Sequence, residues 1–283
     1  MNFNCLVCAC ATSRPWLEEC PDHFLGSPGL ATYVQCAQCG LVQQHPIPTD
    51  LASLYEQYPI HGKKSRIHEW LRRRVFRHTY FDASLLSPQA SILDFGCGDG
   101  WYLDSLKKLG MRRTGYEFDA DHAIQLSNNL GVPVWSDWNV LATSAEAPFD
   151  TVTLHYVMEH LADPSACLQN IRGVLIPNGL VYILLPNIHS WEARLFGRLW
   201  HGLDPPRHLS FPDQGVIERL AKMHGFELIS TKEIAFPNTI AASLAVFFFG
   251  RFKQLAFLAF YPLGMLLSRM FPSGSVAYLL KKS

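Results

Sequence analysis

Acid is missing from the end of the chain. Between Ile234 and Ser283 there is no Asp or Glu, while Arg251, Lys253, Arg269, Lys281 and Lys282 are present. Charge is scarce throughout, at 17% of residues against 48% hydrophobic, which argues against a disordered chain or a coiled coil. Net charge is zero, so the broad basic footprint of a dedicated nucleic-acid binder is absent. No apolar run reaches the ~18 residues of a membrane span. Nor does Met1 open a charged n-region followed by an apolar core, so a cytoplasmic, reducing location is expected. Even neutrality hides one local concentration: Lys63–His78 carries seven Lys and Arg against the single acid Glu69. With 283 residues and roughly 150 per domain, about two domains are expected.

Six of the eight cysteines lie in the first 39 residues, including the pairs Cys5-Leu-Val-Cys8 and Cys36-Ala-Gln-Cys39. Two CxxC turns bring four sulfurs around one point, a donor set that suits tetrahedral Zn²⁺. A disulfide or a redox pair competes with this reading, but a reducing compartment disfavours the first. A ribbon of about 45 residues has too little core to fold without such an ion. We therefore expect a zinc ribbon over 1–46, with Cys5, Cys8, Cys36 and Cys39 as ligands and structural support as its role.

Beyond Pro46, a helical linker is expected over 47–88, its long helix from about Ser65 to Leu85. From there short apolar strands alternate with helices. Strands are expected at Ser91–Phe95, Arg113–Glu117, Val132–Trp135, Phe149–His155, Leu180–Leu185, Phe226–Ile234 and Val276–Lys281. Helices are expected at Trp101–Leu109, Asp119–Asn129, from Asp163 to about Leu175, and at Pro212–His224. Asp163-Pro164 is an N-cap followed by proline at the first helical position. Alternation of this kind implies a doubly wound, mostly parallel seven-stranded α/β sheet over 89–283. Such sheets bind ligands at the carboxyl ends of their strands.

The string Ile92-Leu-Asp-Phe-Gly-Cys-Gly-Asp-Gly100 carries glycines at 96, 98 and 100 between a strand and a helix, where backbone can approach a ligand closely. A dinucleotide site would want a third glycine where Trp101 stands, and an acid in the loop would repel a pyrophosphate. Asp94 instead suits an ammonium group, and Glu117 at the next strand end suits both hydroxyls of a ribose. One ligand with an amino acid at one end and a nucleoside at the other is S-adenosylmethionine (SAM).

Asp94–Gly100 with Glu117 resembles the opening of the class I SAM-dependent methyltransferases, a Rossmann-like fold. Phe149–Pro164, containing Glu159-His-Leu-Ala-Asp-Pro, is similar to a signature strand in one branch of that family. Asp204-Pro-Pro-Arg-His-Leu-Ser-Phe211 resembles a bacterial subgroup that also carries the double CxxC. The resemblance implies that Asp94, Gly96 and Gly98 line the methionine end of SAM and that Glu117 holds its ribose. It places Asp137 near adenine and His155 beside the sulfonium.

The subgroup is associated with modification of sugars, polysaccharides and natural products. The expected reaction is O-methylation of a sugar, glycan or lipid-linked sugar hydroxyl. Sugar C-methyltransferases usually append a further large domain, so oxygen is favoured over carbon. Alternatives are a zinc-ribbon RNA methyltransferase, which Lys63–His78 keeps open, and a non-catalytic SAM-binding scaffold. A hydroxyl acceptor needs a base, for which His208 is preferred and His160 is next. Residues 238–272 form an apolar insertion with runs at Ile240–Phe249 and Leu255–Ser268, each too short to span a bilayer. Three burials are open to it: the protein's own core, a homodimer partner, or peripheral contact with the cytoplasmic membrane face.

Overall fold

The computed structural model of the chain describes residues 2–51, 54 and 80–283. The basic stretch Lys63–His78 and most of the expected linker lie outside the described residues.

The amino-terminal segment is an antiparallel meander of β1 (Ser13–Pro21), β2 (Leu30–Cys36) and β3 (Val42–Gln44). The body begins with β4 (Ser91–Phe95), α1 (Trp101–Ser105), β5 (Arg112–Tyr116), α2 (Ala120–Leu130) and β6 (Val134–Trp135). It continues through α3 (Trp138–Ala142), β7 (Phe149–His155), α4 (Pro164–Val174) and β8 (Leu175–Pro186). After α5 (Trp191–Phe196) come β9 (Ser210–Phe211), α6 (Gln214–Met223) and β10 (Phe226–Ile234). The insertion is two helices, α7 (Pro237–Phe249) and α8 (Gln254–Met270), and β11 (Ser275–Lys282) closes the fold.

Seven strands form the main sheet in the order β10-β11-β8-β7-β4-β5-β6, with β11 antiparallel to both neighbours and the rest parallel. This is the expected sheet. Strands such as β7 are buried nearly throughout because both faces are covered. On one face α4 and α6 contribute Leu168, Ile171, Ile217 and Leu220. On the other, Ile92 packs with Tyr102, Leu106 and Met111.

Local signals fixed most helix starts. Asp119 accepts from the His122 N–H, Asp163 from Ala166 and Asp213 from Val216. The last of these corrects an expected start at Pro212, because Asp213 is the cap and the helix begins after it. The helix expected over Trp101–Leu109 is α only to Ser105 and tightens to 3₁₀ over Leu106–Leu109.

The meander is fused to the body. Val42 and Gln43 pair with Phe211 and Ser210, so β9 completes a four-stranded sheet. Phe3, Val7, Val34 and Leu41 share one apolar cluster with Leu154 of the main sheet and Met158 just beyond it.

α7 buries Ile240, Ala241, Ala242, Ala245 and Val246, whereas α8 buries only Ala256, Gly264 and Ser268. A Cβ on Gly264 would stand 2.7 Å from the Pro237 carbonyl, so the helices meet backbone to backbone. Core burial therefore accounts for α7 and not for the outer face of α8. Among the described residues no helix is long and apolar enough to cross a membrane.

Candidate functional site

The sheet reverses its order between β4 and β7, and their carboxyl ends, with that of β5, gather the predicted residues. The glycine loop hangs from the end of β5: the N–H groups of Gly96 and Cys97 both donate to the Tyr116 carbonyl, at 2.8 and 3.0 Å. Gly96 has φ +71°, and a Cβ there would meet Val157 at 2.7 Å, so only glycine permits both the turn and the approach of the segment after β7.

Asp94 is buried at the end of β4. The parallel register sets it beside Thr153, whose hydroxyl donates to Oδ1 at 2.8 Å. His155 donates from Nδ1 to the same oxygen at 3.1 Å, while its Nε2 accepts from the Phe81 N–H at 3.3 Å. None of the described hydrogen bonds engages Asp94 Oδ2. His155 thus departs from the expected cofactor contact. Its side chain is 4% exposed and packed against Tyr80 and Tyr102, with Nδ1 fixing Asp94 and Nε2 held by the Phe81 N–H.

Glu117 leans back over the loop. Oε2 accepts from the Gly98 N–H at 2.7 Å and Oε1 from the Phe118 N–H at 2.9 Å. Burial pushes its pKa above the ordinary carboxylate value, against the pull of these hydrogen bonds. His122, at the start of α2, donates from Nε2 to the Gly98 carbonyl at 2.7 Å. Asp137 caps α3, Oδ1 accepting from Asn139 and Val140. Sequence reasoning passed over Phe118, which is 55% exposed for so large an apolar ring and lies against Phe95 and Tyr116. Its signal was an aromatic directly after the strand-end acid.

Two acceptor carboxylates, Asp94 and Glu117, therefore flank the glycine loop, and a third, Asp137, interacts with Tyr116, whose carbonyl holds that loop. An ammonium, two ribose hydroxyls and an adenine amino group are all donors, so this set of acceptors fits SAM.

A second group lies behind the turn that follows β7. Tyr156 takes a left-handed φ of +58°, and Met158–His160 form a 3₁₀ turn that places His160 4.6 Å, ring to ring, from His208. The two histidines preferred as bases are thus brought together, with Glu159 beside them. His208 is buried and donates from Nδ1 to the Gly202 carbonyl at 2.9 Å. Burial, aided by neighbouring His160, pushes its pKa down to about 3. It is therefore a poor proton acceptor at neutral pH, a correction to its expected role. His160 donates from Nδ1 to the Arg207 carbonyl at 3.0 Å, and burial lowers its pKa as well.

Arg207 is a structural residue. It is 1% exposed and bonded twice by Asp22, at 2.8 and 2.9 Å, and twice by Asp204, at 3.0 and 2.6 Å. Tyr33 of β2 donates to the His208 carbonyl at 3.0 Å. The amino-terminal segment thus holds the loop that carries His208.

The four predicted cysteines come together. Sγ of Cys5 lies 3.5 Å from Cys39 and Sγ of Cys8 lies 3.5 Å from Cys36, with all four sulfurs within 4.8 Å of one another. A tetrahedron with Zn–S bonds of about 2.3 Å has S···S edges of about 3.8 Å, so the set fits one such ion. Burial pushes the Cys5 thiol up to about 11, a cost that a cation offsets. Cys10 and Cys20 remain outside this group.

A family model described as a methyltransferase domain matches residues 67–231, more than half of the chain. The chain belongs to the methyltransferase-domain family. The domain has the Rossmann-like methyltransferase sheet, and the matched span contains the glycine loop, Glu117, Glu159, His160 and His208. The ubiquinone biosynthesis O-methyltransferase of Xanthomonas campestris pv. campestris (strain B100) is 29% identical over 114 residues, 38% of this chain and 47% of that protein. The protein of the same name from Parvibaculum lavamentivorans is 26% identical over 136 residues, 46% of this chain and 54% of that one. The chain spans about half the length of the curated relatives it matches. Among solved structures, Haemonchus contortus phosphoethanolamine N-methyltransferase 2, in complex with SAM, matches this methyltransferase domain. It has a TM-score of 0.53 and 15% identity over 85% of this chain and 62% of that one. A chain of the complex containing the Haloferax volcanii Trm112 methyltransferase activator matches at a TM-score of 0.51 and 16% identity, over 76% of this chain and 94% of that one. At these identities the structural likenesses establish the fold.

Proposed function

We propose that the protein binds SAM across the glycine loop and transfers its methyl group to a hydroxyl of a sugar, glycan or lipid-linked sugar. The observation that carries the reading is the pair of carboxylates, Asp94 and Glu117, flanking Gly96–Gly100 in a methyltransferase-domain chain. Asp94, fixed by Thr153 and His155, receives the ammonium group, with Gly96 and Gly98 lining the methionine end. Glu117 receives the ribose, Asp137 the adenine edge, and Phe118 offers a ring face beside them. SAM supplies an activated methyl group, so its S–CH₃ bond breaks, an O–CH₃ bond forms and the hydroxyl proton is lost. The chain's task is then alignment and exclusion of water. The relatives named as O-methyltransferases support oxygen as the acceptor atom.

Calorimetry with S-adenosylhomocysteine (SAH) tests cofactor binding. Micromolar binding is expected, falling at least tenfold in Glu117→Ala, since one lost charge-assisted hydrogen-bond pair is worth about 1.5–3 kcal/mol. Binding of NADH without SAH would reject it. The acceptor is tested by mass spectrometry of glycans and lipids from cells with and without the gene. A 14-mass-unit loss confined to RNA would favour the RNA reading instead, and SAH binding with no methylated product would favour a scaffold.

Two further proposals attach to this reading. One zinc ion is held by Cys5, Cys8, Cys36 and Cys39 and supports the amino-terminal sheet. The α7–α8 pair docks the protein on an anionic membrane surface. Phe247, Phe248, Phe249, Leu255, Leu258 and Leu266 are all exposed on it, Arg251, Lys253 and Arg269 flank it, and no acid interrupts it. That charge pattern favours anionic headgroups over a second copy of an equally basic face. A lipid-carried acceptor would meet the enzyme there.

A further inference from the structure

Phe81 lies in irregular chain ahead of β4, yet side chains hold both of its backbone polar groups. Its N–H donates to His155 Nε2 at 3.3 Å, and its carbonyl accepts from the Tyr102 hydroxyl at 3.1 Å. His155 is the last residue of β7 and Tyr102 the second of α1. On its other side His155 Nδ1 meets Asp94 Oδ1 at 3.1 Å. The glycine loop runs from Asp94 back to Tyr102, so Asp94, His155, Phe81, Tyr102 and the loop form a closed ring. One member of it sets the tautomer. A backbone N–H only donates, which keeps the lone pair of His155 on Nε2 and its proton on Nδ1. The opposite tautomer would turn a lone pair toward Asp94. Tyr80, Tyr102 and Tyr182 pack around the imidazole, with ring centres 4.4, 4.5 and 5.6 Å away. The Phe81 side chain is itself buried in one cluster with Ile92, Leu106 and Met111. Both ends of the His155 bridge are therefore anchored.

We propose that His155 is a positioning residue for the amino-acid end of the cofactor and couples the backbone at Phe81 to occupancy of that end. The proposal rests on the SAM reading of the glycine loop. Oδ1 of Asp94 takes both donors, the Thr153 hydroxyl and His155 Nδ1, so Oδ2 is the oxygen left for the ammonium group. A carboxylate pinned in this way loses no rotamer freedom when the ligand arrives. The Phe81 N–H adds a second level of control, because it selects the tautomer that makes the pinning possible. Coupling between two sites is reciprocal. If the Phe81–His155 bond favours the ammonium, a ligand carrying the ammonium must in turn strengthen the Phe81–His155 bond. A ligand that ends at the nucleoside engages Glu117 and leaves the ring unchanged. His155 thus decides how strongly the amino-acid end contributes to recognition, without touching the cofactor.

Calorimetry of the full chain with two probes tests this. SAH carries the ammonium group, whereas methylthioadenosine keeps the nucleoside and the sulfur and lacks the amino-acid end. His155→Phe retains the aromatic packing and removes both ring nitrogens. It should weaken SAH at least about tenfold and methylthioadenosine less than about twofold. His155→Asn has an amide that can donate to Asp94 and is too short to reach Phe81. It should recover most of the SAH affinity. Hydrogen exchange reads the coupling directly: in wild type SAH should slow exchange of the Phe81 amide more than methylthioadenosine does, and in His155→Asn that difference should vanish. A merely structural role would lower both affinities together in His155→Phe, and that result overturns the proposal. So does SAH affinity that His155→Phe leaves intact, or a Phe81 amide equally protected by both probes. Retention of the SAH-specific protection in His155→Asn overturns it as well, even if His155→Phe fails to fold. Wild type that binds no SAH defeats the SAM reading and this proposal with it, whereas normal SAH binding with any of the other failures defeats this proposal alone.

Discussion

At the scale of single residues, polar groups in this chain are repeatedly placed where burial changes their chemistry. Glu192 at the start of α5 is 1% exposed and accepts from the Thr239 hydroxyl in a short hydrogen bond. Burial raises its pKa to about 7. The ordinary glutamate value is about 4.3, so the folded chain holds this proton more tightly than the unfolded chain does. Stability contributed by the neutral form is therefore fully present below about pH 4.3 and is lost as pH rises through about 7. Glu192→Gln keeps an acceptor for Thr239 and removes the titration. The variant should melt close to wild type at pH 4.5 and several degrees above it at pH 8, up to about 3 kcal/mol. Calorimetric scans at the two values check this, and an equal difference at both would reject it.

At the scale of elements, the α7–α8 pair stands apart from every other helix. α2, α4 and α6 have one apolar face and a polar cap, and each buries that face on the sheet. α8 turns most of its large side chains outward, with Leu255 84% exposed. An apolar patch of this extent marks an interaction surface. Vesicles with a fifth or more anionic lipid should co-sediment the protein, and 0.5 M salt should release part of it. Leu258→Glu with Leu266→Glu should abolish sedimentation while leaving SAH affinity unchanged, because neither side chain is near the glycine loop in the sequence of elements. Equal recovery in the supernatant with and without vesicles, from a stable dimer, would make the surface an oligomer interface.

For the whole molecule, the decisive feature is that the amino-terminal segment and the sheet domain are one structure. Asp22 pairs with Arg207 in a buried bidentate bridge. Against the upward push of burial, the Arg207 and backbone hydrogen bonds hold Asp22 well below the carboxylate range. Removing one member of such a pair typically costs 3–5 kcal/mol. Because Asp204 remains on Arg207, Asp22→Asn should cost about 2–4 kcal/mol in denaturant unfolding. It should also loosen the loop bearing His208. Chelation should have a related effect: loss of the ion from the four cysteines should lower the melting temperature and the β-sheet signal together. A cysteine-cluster variant, Cys39→Ser, should behave as the chelated wild type does. An unchanged melting temperature in both would assign the cluster no structural role.

Much of this was legible in the sequence because its causes are local. Strand and helix alternation follows from apolar periodicity and Asp caps, and the glycine loop from the backbone conformation that glycine alone permits at Gly96. The four cysteines followed from paired short spacings. The identity of the reacting groups did not follow in the same way. Whether His155 faces a ligand or Asp94 depends on the register of β4 against β7, and whether His208 can act as a base depends on its depth of burial. The Asp22–Arg207 bridge joins residues 185 positions apart, and no local pattern encodes that pairing. The amino-acid sequence by itself determined the sheet, the loop and the metal-type cysteines, since each is specified by neighbours along the chain. Tertiary structure alone decided the joining of β9 to the amino-terminal meander, the convergence of Glu159, His160 and His208, and the uncovered face of α8. These depend on desolvation and long-range packing, which exist only once the chain has folded.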